Sequence, residues 1–180
     1  RLNAMYEDSG SYRDGVDLKR FGINPTTTIM PSDKTKIVLS AEYFKDERVA
    51  DRGIPSLAGS GRPYNTDVST FFGDPSRSPT DSELKAANAL VEHRFTDDVK
   101  LRNRTRFTSQ DKFYQNIYAD GPVGKDFVNQ VKLGAYNDTT HRNSFFNQTD
   151  LLFSLNTGHV KHDLVVGMEI GHQETDNMRN

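Results

Sequence analysis

Arginine and aromatic side chains between residues 45 and 82 are the groups in this chain best suited to ligand binding. They are Arg48, Arg52, Tyr64, Phe71, Phe72 and Arg77. Guanidinium groups form charge-assisted hydrogen bonds with anions, and aromatic rings offer stacking and cation–π surfaces. As an alternative, the arginines form salt bridges within the loop and the rings pack on one another, which we favour for Phe71 and Phe72.

A second group of cations recurs at every other position of one predicted strand. The group is Lys100, Arg102, Arg104 and Arg106. Side chains two residues apart share one face of a strand. A cation facing lipid at the bilayer midplane costs about 2–4 kcal/mol, so this face is expected inside a barrel or in water. The solvated face of a soluble sheet would look the same. A tight turn at 96–98 would place Glu92 opposite Arg102 as a cross-strand ion pair.

No catalytic or metal-binding constellation is recognisable in the sequence. His159 and His162 are three residues apart, but they flank a predicted turn and have no further ligand nearby in sequence. Cysteine is absent, and there is no phosphate-binding loop, nucleophile elbow or zincin motif. We therefore expect no enzymatic activity, no catalytic residue and no metal site.

Composition suits neither a packed globular core nor a disordered chain. Hydrophobic residues make up 34% and the mean hydropathy is −0.74, yet aromatic residues make up 10%. The net charge is −2 with both signs interspersed, which does not indicate a nucleic-acid partner. There is no run of 18 apolar residues and hence no transmembrane helix. The chain starts at Arg1 without a signal peptide, and we expect a fragment cut at both ends.

The hydrophobic pattern has a period of two, which is typical of strands. The alternating runs are 2–7, 21–29, 36–43, 87–95, 99–107, 148–155 and 163–170. Helix is weakly indicated only over 81–90. We predict one long sixth strand over about 127–156, although Val131, Leu133 and Ala135 could also form a strand of their own. Pro25 lacks a ladder donor, so a bulge or an N–H position pointing away from the neighbouring strand is expected there.

Loop lengths alternate along the chain. Short turns are predicted at 31–34, 96–98 and 156–159, and long connections at 9–19, 45–82 and 118–125. An antiparallel meander with short turns at one end and long loops at the other is the pattern of an outer-membrane barrel. The predicted fold is all-β, an up-and-down meander of about seven transmembrane strands.

Several short segments resemble the TonB-dependent ferric-siderophore receptors, most closely the catecholate type. They are 1–8 (RLNAMYED), 43–55 (YFKDERVADRGIP), 61–64 (GRPY), 71–75 (FFGDP), 91–95 (VEHRF), 101–106 (LRNRTR) and 147–151 (NQTDL). Each is short, but their colinear order covers essentially the whole chain.

The resemblance implies that residues 1–180 are one partial domain of a plugged barrel of about 22 strands. It also implies a Gram-negative outer membrane, surrounding lipid, a ferric siderophore ligand, and TonB acting through a plug that this chain lacks. Iron would be carried only within the siderophore, so no protein cofactor is expected. The ligand-facing candidates would be Arg48, Arg52, Tyr64, Arg77, Arg102, Arg104 and Arg106.

Two other classes of protein stay open at this point. A soluble β-sandwich binding module would have similar loops at both ends and a buried apolar face. A passive porin would share the barrel wall but lack a plug.

Overall fold

The computed structural model describes residues 1–126 and 128–180, which form one seven-stranded antiparallel sheet. The strands are β1 (Leu2–Gly10), β2 (Asp17–Ser32), β3 (Thr35–Val49), β4 (Pro79–Arg94), β5 (Val99–Ala119), β6 (Leu133–Thr157) and β7 (Val160–Arg179). Each strand pairs with its neighbour in sequence. The predicted meander of about seven strands is confirmed.

Helical structure in the described residues is limited to one 3-10 turn, Pro75–Arg77. None of the helical structure in 1–126 and 128–180 is long and apolar enough to cross a membrane. The weak helical signal over 81–90 is wrong, since these residues lie within β4 and pair with β3 on one side and β5 on the other. Pairing along both edges outweighs the small differences in helix propensity.

The sixth strand is single and long, as predicted, but it begins at Leu133 rather than near 127. Phe127 lies outside the described residues. Leu133 pairs with Ala119, the last residue of β5, and Val131 lies in the connection that precedes β6. The separate strand considered for Val131, Leu133 and Ala135 is therefore not formed.

Connections sort by length as the sequence predicts. The short ones join β2 to β3, β4 to β5 and β6 to β7, whereas the long ones span 11–16, 50–78 and 120–132. In a meander, alternate connections lie at the same end of the sheet. All three long loops therefore meet at one end, the long-loop end, and the short turns lie at the other.

The register divides the strands into two faces. We call the side carrying Lys100, Arg102, Arg104 and Arg106 the inner face. The outer face carries Ile37, Leu39, Ala41, Leu101, Leu151, Phe153, Leu164, Val166 and Met168. Several large apolar side chains of the outer face are exposed, for example Val166 at 63% and Met168 at 64%. No second sheet covers them within the described chain, which is the arrangement expected for the barrel wall rather than for the soluble sandwich.

Toward the long-loop end the outer face changes from apolar to charged. Tyr43 is followed on this face by Lys45 and Glu47, and Ala87 is followed by Lys85 and Glu83. Lys45 pairs with Glu47 at 2.5 Å and with Asp81 at 3.6 Å. An apolar band bounded by an ion-paired region is the pattern of a strand that leaves hydrocarbon for water.

Pro25 is accommodated without a bulge, which was one of the two arrangements expected there. It pairs with Leu2 of β1, while the β2–β3 register omits Asn24 and Pro25 and continues unchanged on either side. The adjacent Thr26 N–H donates to the carbonyl of Arg1, next to β1. Because successive backbone N–H groups of a strand point to opposite sides, the Pro25 nitrogen points toward β3, where the ladder is interrupted. The irregularity in β2 lies instead between Ile29 and Ser32.

Candidate functional site

The long loops are fastened to one another at the long-loop end. Arg13 of loop 11–16 is only 6% exposed and forms an ion pair with Asp51 at 3.0 Å. Its Nη1 donates to the carbonyls of Val68 at 2.6 Å and Thr70 at 3.0 Å. One buried guanidinium therefore joins both halves of loop 50–78 to loop 11–16.

Loop 50–78 is also attached to the top of β5. Asn116 Nδ2 donates to the Ala50 carbonyl at 2.8 Å, and the Ile117 N–H donates to Ser78 Oγ at 3.0 Å. The backbone of Gly73 packs against the backbone of Ile117 so closely that a Cβ at position 73 would be 1.8 Å from the Ile117 oxygen. Loop 50–78 is thereby held over the inner face.

This attachment places Arg52 in a group of tyrosines on the inner face. The group, here called the mouth cluster, consists of Arg52, Tyr114, Tyr118, Tyr136 and Arg179. Tyr114 and Tyr136 are stacked with centroids 5.5 Å apart, and Tyr118 meets Tyr136 edge-on at 5.8 Å. The Arg52 guanidinium lies 4.7 Å from the Tyr118 centroid and donates to the Tyr136 hydroxyl. The Arg179 guanidinium lies 4.4 Å from the Tyr136 centroid.

Neither arginine of the mouth cluster pairs with a carboxylate in the described part of the chain. Hydrogen bonding with Tyr114 raises the pKa of Arg52, so Arg52 stays cationic at physiological pH. Lys112 and Arg142 also face inward near the cluster and likewise form no salt bridge in residues 1–126 and 128–180. Arg142 donates only to Thr175, at 3.0 Å. Asp138 lies opposite Tyr114 and Arg179 on the same face, so the long-loop end of the inner face carries four cations without an ion pair among the described residues and one nearby carboxylate.

A cleft of about 860 Å³ adjoins the mouth cluster at Tyr114. Its lining includes Arg48, Thr80 and Lys112. Thr80 Oγ1 is buried and has no hydrogen-bond partner among the described residues. The cleft therefore presents a cation, a phenol and a hydroxyl able to bond a ligand.

Arg48, predicted to face a ligand, is held by a carboxylate instead. Its Nε and Nη2 donate to the two oxygens of Asp46 at 2.6 and 2.5 Å. Asp46 is buried and also accepts from Arg20 at 2.5 Å. Of the two readings of Arg48, a loop salt bridge or a ligand contact, the geometry favours the salt bridge.

Tyr64 and Arg77 do not join the mouth cluster. Tyr64 packs edge-on against Phe72 at 6.3 Å, which is the packing role considered for these rings. Arg77 ends the 3-10 turn, and its carbonyl accepts from Gln115 at 2.8 Å. The structure thus gives both residues positions in the loop scaffold.

The inward cation row is formed, but its ion pairs differ from those expected. Glu92 does lie opposite Arg102, yet Glu92 pairs with Lys100 at 2.8 Å. Arg102 pairs with Asp150 at 3.3 Å, and Arg104 approaches the same carboxylate at 3.9 Å. Asp150 lies opposite Arg102 on the neighbouring strand β6, a strand that the sequence analysis of the β4–β5 hairpin did not consider.

Sequence reasoning also missed Tyr114, Tyr118, Tyr136 and Arg179. A signal for the first two was present. They occupy the same alternate positions of β5 as Arg102 and Arg106, so extending that strand past Phe107 would have put them on the inner face. Tyr136 and Arg179 could be placed only with the register of β6 and β7.

Histidines provide no metal site in the described chain. His162 bonds with Thr157 at 2.7 Å, and no group of three or more His, Asp or Glu side chains in residues 1–126 and 128–180 is placed to hold a metal ion.

Comparison with known sequences shows related receptors. No family model matches the chain. The metal-pseudopaline receptor CntO of Pseudomonas aeruginosa is 26% identical over 99% of this chain and 25% of its own length. The Probable TonB-dependent siderophore receptor PiuA of Acinetobacter baumannii is 29% identical over 91% of this chain and 23% of its length. The catecholate siderophore receptor Fiu of Escherichia coli K12 is 26% identical over 98% of this chain and 26% of its own length. The chain spans about a quarter of the length of these relatives.

Solved structures agree on the fold. The ferric-catecholate import receptor Fiu of E. coli K12, in its open form, superposes with a TM-score of 0.86 at 22% identity, covering 97% of this chain and 30% of Fiu. The ferripyoverdine receptor of the outer membrane of P. aeruginosa superposes with a TM-score of 0.86 at 18% identity, covering 99% of this chain and 24% of that receptor. These proteins are receptors rather than enzymes, as expected, and the expected outer-membrane localisation agrees with them. The relatives and structural neighbours of this chain are TonB-dependent siderophore receptors, and nearly the whole chain corresponds to one segment of their β-barrel.

Proposed function

We propose that this chain is part of an outer-membrane receptor that binds a ferric siderophore of the catecholate type and imports it into the periplasm. In such a barrel the inner face lines the lumen and the outer face meets lipid. The long-loop end, with its charged outer face, is then the extracellular end.

The main support for the proposal is the set of side chains that contact the Tyr136 ring. Tyr114 stacks on it, and Arg52 and Arg179 both lie over or against its ring without a carboxylate partner among the described residues. A ferric tris-catecholate presents flat rings and a net negative charge. Stacking and cation–π contacts suit the rings, and uncompensated guanidinium groups suit the charge.

The names of the relatives leave the ligand class open. Fiu is a catecholate siderophore receptor, whereas CntO is a receptor for metal-pseudopaline. The three tyrosines of the mouth cluster favour a ligand with aromatic rings. Arg48, Tyr64, Arg77, Arg102 and Arg104 have other contacts, so their direct roles as ligand groups are less supported than that of Arg52.

Energy delivery through TonB and a plug in the lumen are further parts of the proposal. They are supported by the family of the relatives and would depend on chain outside these 180 residues. We expect no protein-bound cofactor, because the siderophore itself carries the iron. A plug would also distinguish the receptor from a passive porin.

Calorimetric titration of the complete receptor tests the ligand class. The two probes are ferric enterobactin, a trianionic tris-catecholate, and ferrichrome, an uncharged trihydroxamate without aromatic rings. The proposal predicts tight binding of the first and weak binding of the second. Equal affinity for both, or preference for ferrichrome, would contradict it.

A further inference from the structure

Asn116 on β5 is a buried amide among the tyrosines of the mouth cluster. None of its surface is exposed, at 0%. On the inner face of β5 it stands between Tyr114 and Tyr118, and on β6 it lies opposite Tyr136. Because Asn116 has no exposed surface, it cannot contact a ligand that is bound to these rings. Any effect of Asn116 on binding must therefore pass through its neighbours.

The side-chain amide of Asn116 is only partly hydrogen-bonded. Its Nδ2 donates to the Ala50 carbonyl at 2.8 Å, whereas its Oδ1 has no hydrogen-bond partner among the described residues. A buried polar atom without a partner destabilises the folded state, and an apolar side chain of similar size would avoid that cost. Departures of this kind from well-satisfied packing occur mainly at functional sites. The bond to Ala50 is therefore the contact that gives Asn116 a role.

Ala50 begins the segment that carries Arg52 to the tyrosines. Arg52 is two residues further along the chain, so a displacement of Ala50 also displaces the base of the Arg52 side chain. The intervening Asp51 pairs with Arg13 at 3.0 Å, and Arg13 belongs to loop 11–16 rather than to the sheet. Asn116 thus ties the base of Arg52 to the strand that carries two of the tyrosines.

The other end of this loop, at Ser78, is attached to β5 independently of the amide. Ser78 Oγ accepts from the Ile117 N–H at 3.0 Å, and the Ser78 carbonyl accepts from the Ala50 N–H at 2.8 Å. Both bonds remain when the Asn116 amide is removed. Removing the amide should therefore displace Arg52 without detaching the loop from the sheet.

Arg179, the second arginine of the mouth cluster, reaches Tyr136 by another route. It is the last residue of β7 and pairs with Asp138 on β6. Its guanidinium lies 4.4 Å from the Tyr136 centroid. Strand register, rather than the bond of Asn116, sets this position. A change at Asn116 should consequently alter the contribution of Arg52 and spare that of Arg179.

We propose that Asn116 is the positioning residue of the mouth cluster, which sets the affinity for an anionic ligand with aromatic rings by holding Arg52 in place. The proposal rests on the proposed function and adds a residue that acts on the same site from behind it. A guanidinium that is already held in place loses less conformational freedom when the ligand binds. Stability gains little from Asn116, because the unpaired Oδ1 offsets the bond to Ala50. Affinity and stability should therefore respond differently to its removal.

Affinity for ferric enterobactin and urea unfolding, both measured on the complete receptor, test this separation. Asn116→Leu removes the bond and the unpaired oxygen together. It should weaken binding about fivefold and leave the midpoint of unfolding unchanged or raised. Adding Arg52→Gln to this variant should weaken binding only about twofold more, whereas adding Arg179→Gln should weaken it about tenfold. Asn88→Leu is the matched control, because Asn88 bonds Ser40 on the same inner face away from the mouth cluster, and its affinity should stay within about twofold of wild type.

Amide hydrogen exchange of residues 50–53 in the ligand-free receptor gives a second readout. Asn116→Leu should speed exchange there and leave exchange in β7 unchanged. Three results would overturn the proposal: unchanged affinity in Asn116→Leu, full additivity with Arg52→Gln, or an unfolding midpoint that falls together with the affinity. The last would make Asn116 a residue of general structural importance. A wild-type receptor that does not bind ferric enterobactin contradicts the proposed function instead, and the affinity role falls with it even if exchange shows that Asn116 holds the segment.

Discussion

Asn103 on β5 and Asn147 on β6 exchange side-chain hydrogen bonds on the outer face, in the middle of its apolar band. Asn103 Nδ2 donates to Asn147 Oδ1 at 3.1 Å, and Asn147 Nδ2 donates to Asn103 Oδ1 at 3.2 Å. The second hydrogen of each amide goes to a threonine, Thr149 or Thr105, at 2.7 Å. All four amide N–H groups are therefore satisfied, which lowers the cost of placing amides against hydrocarbon.

Replacing one of these asparagines should cost more than replacing both. Asn103→Leu leaves Asn147 with broken bonds facing lipid, so we expect a loss of about 1–3 kcal/mol in unfolding free energy. The double change to leucine removes both groups and should recover much of that loss. Urea unfolding of the complete receptor in lipid vesicles measures the coupling. Strictly additive effects of the two changes would show that the reciprocal bonds contribute nothing.

Gly167 on β7 makes room for the carboxylate that anchors the inward cation row. A Cβ at this position would be 2.5 Å from Asp150 Oδ1. Gly167→Ala should therefore push the carboxylate off Arg102 and destabilise the barrel wall by about 1–3 kcal/mol, as overpacking does. Gly10→Ala is a suitable control, since nothing lies within 4 Å of its added methyl. Equal unfolding free energies for the two variants would rule out this role of Gly167.

Arg13 should hold loop 11–16 and loop 50–78 together. Arg13→Met removes the ion pair with Asp51 and the two carbonyl contacts, so loop 50–78 should exchange its amide hydrogens faster and be cut more readily by protease. Arg62→Met, in the same loop but exposed, should leave both rates unchanged. If the two variants behave alike, the loops are held together by other contacts, such as the bridge between Leu57 and Val123.

The sequence predicted the features that are local or periodic. Alternation fixed the strands and their faces, because a strand with one side toward lipid must place Leu101 outward and Arg102 inward. Turn residues located the short connections. The ion partners of Arg48 and Arg102 could not be predicted, since Asp46 competes with any ligand for the first and Asp150 reaches the second from a strand about fifty residues away in sequence. The mouth cluster depends on a loop attached by Asn116 and on the register of β7, neither of which has a periodic signal.

Affinity of the complete receptor for ferric enterobactin, with and without the two arginines of the mouth cluster, tests the central claim most directly. Arg52→Gln and Arg179→Gln should each weaken binding about tenfold, the equivalent of one charge-assisted contact, and the double variant should weaken it further. The loss should be larger at low salt, where charge is less screened. Arg48→Gln should stay within about twofold of wild type, because Arg48 already pairs with Asp46. A double variant that binds as tightly as wild type at both salt concentrations would contradict the account.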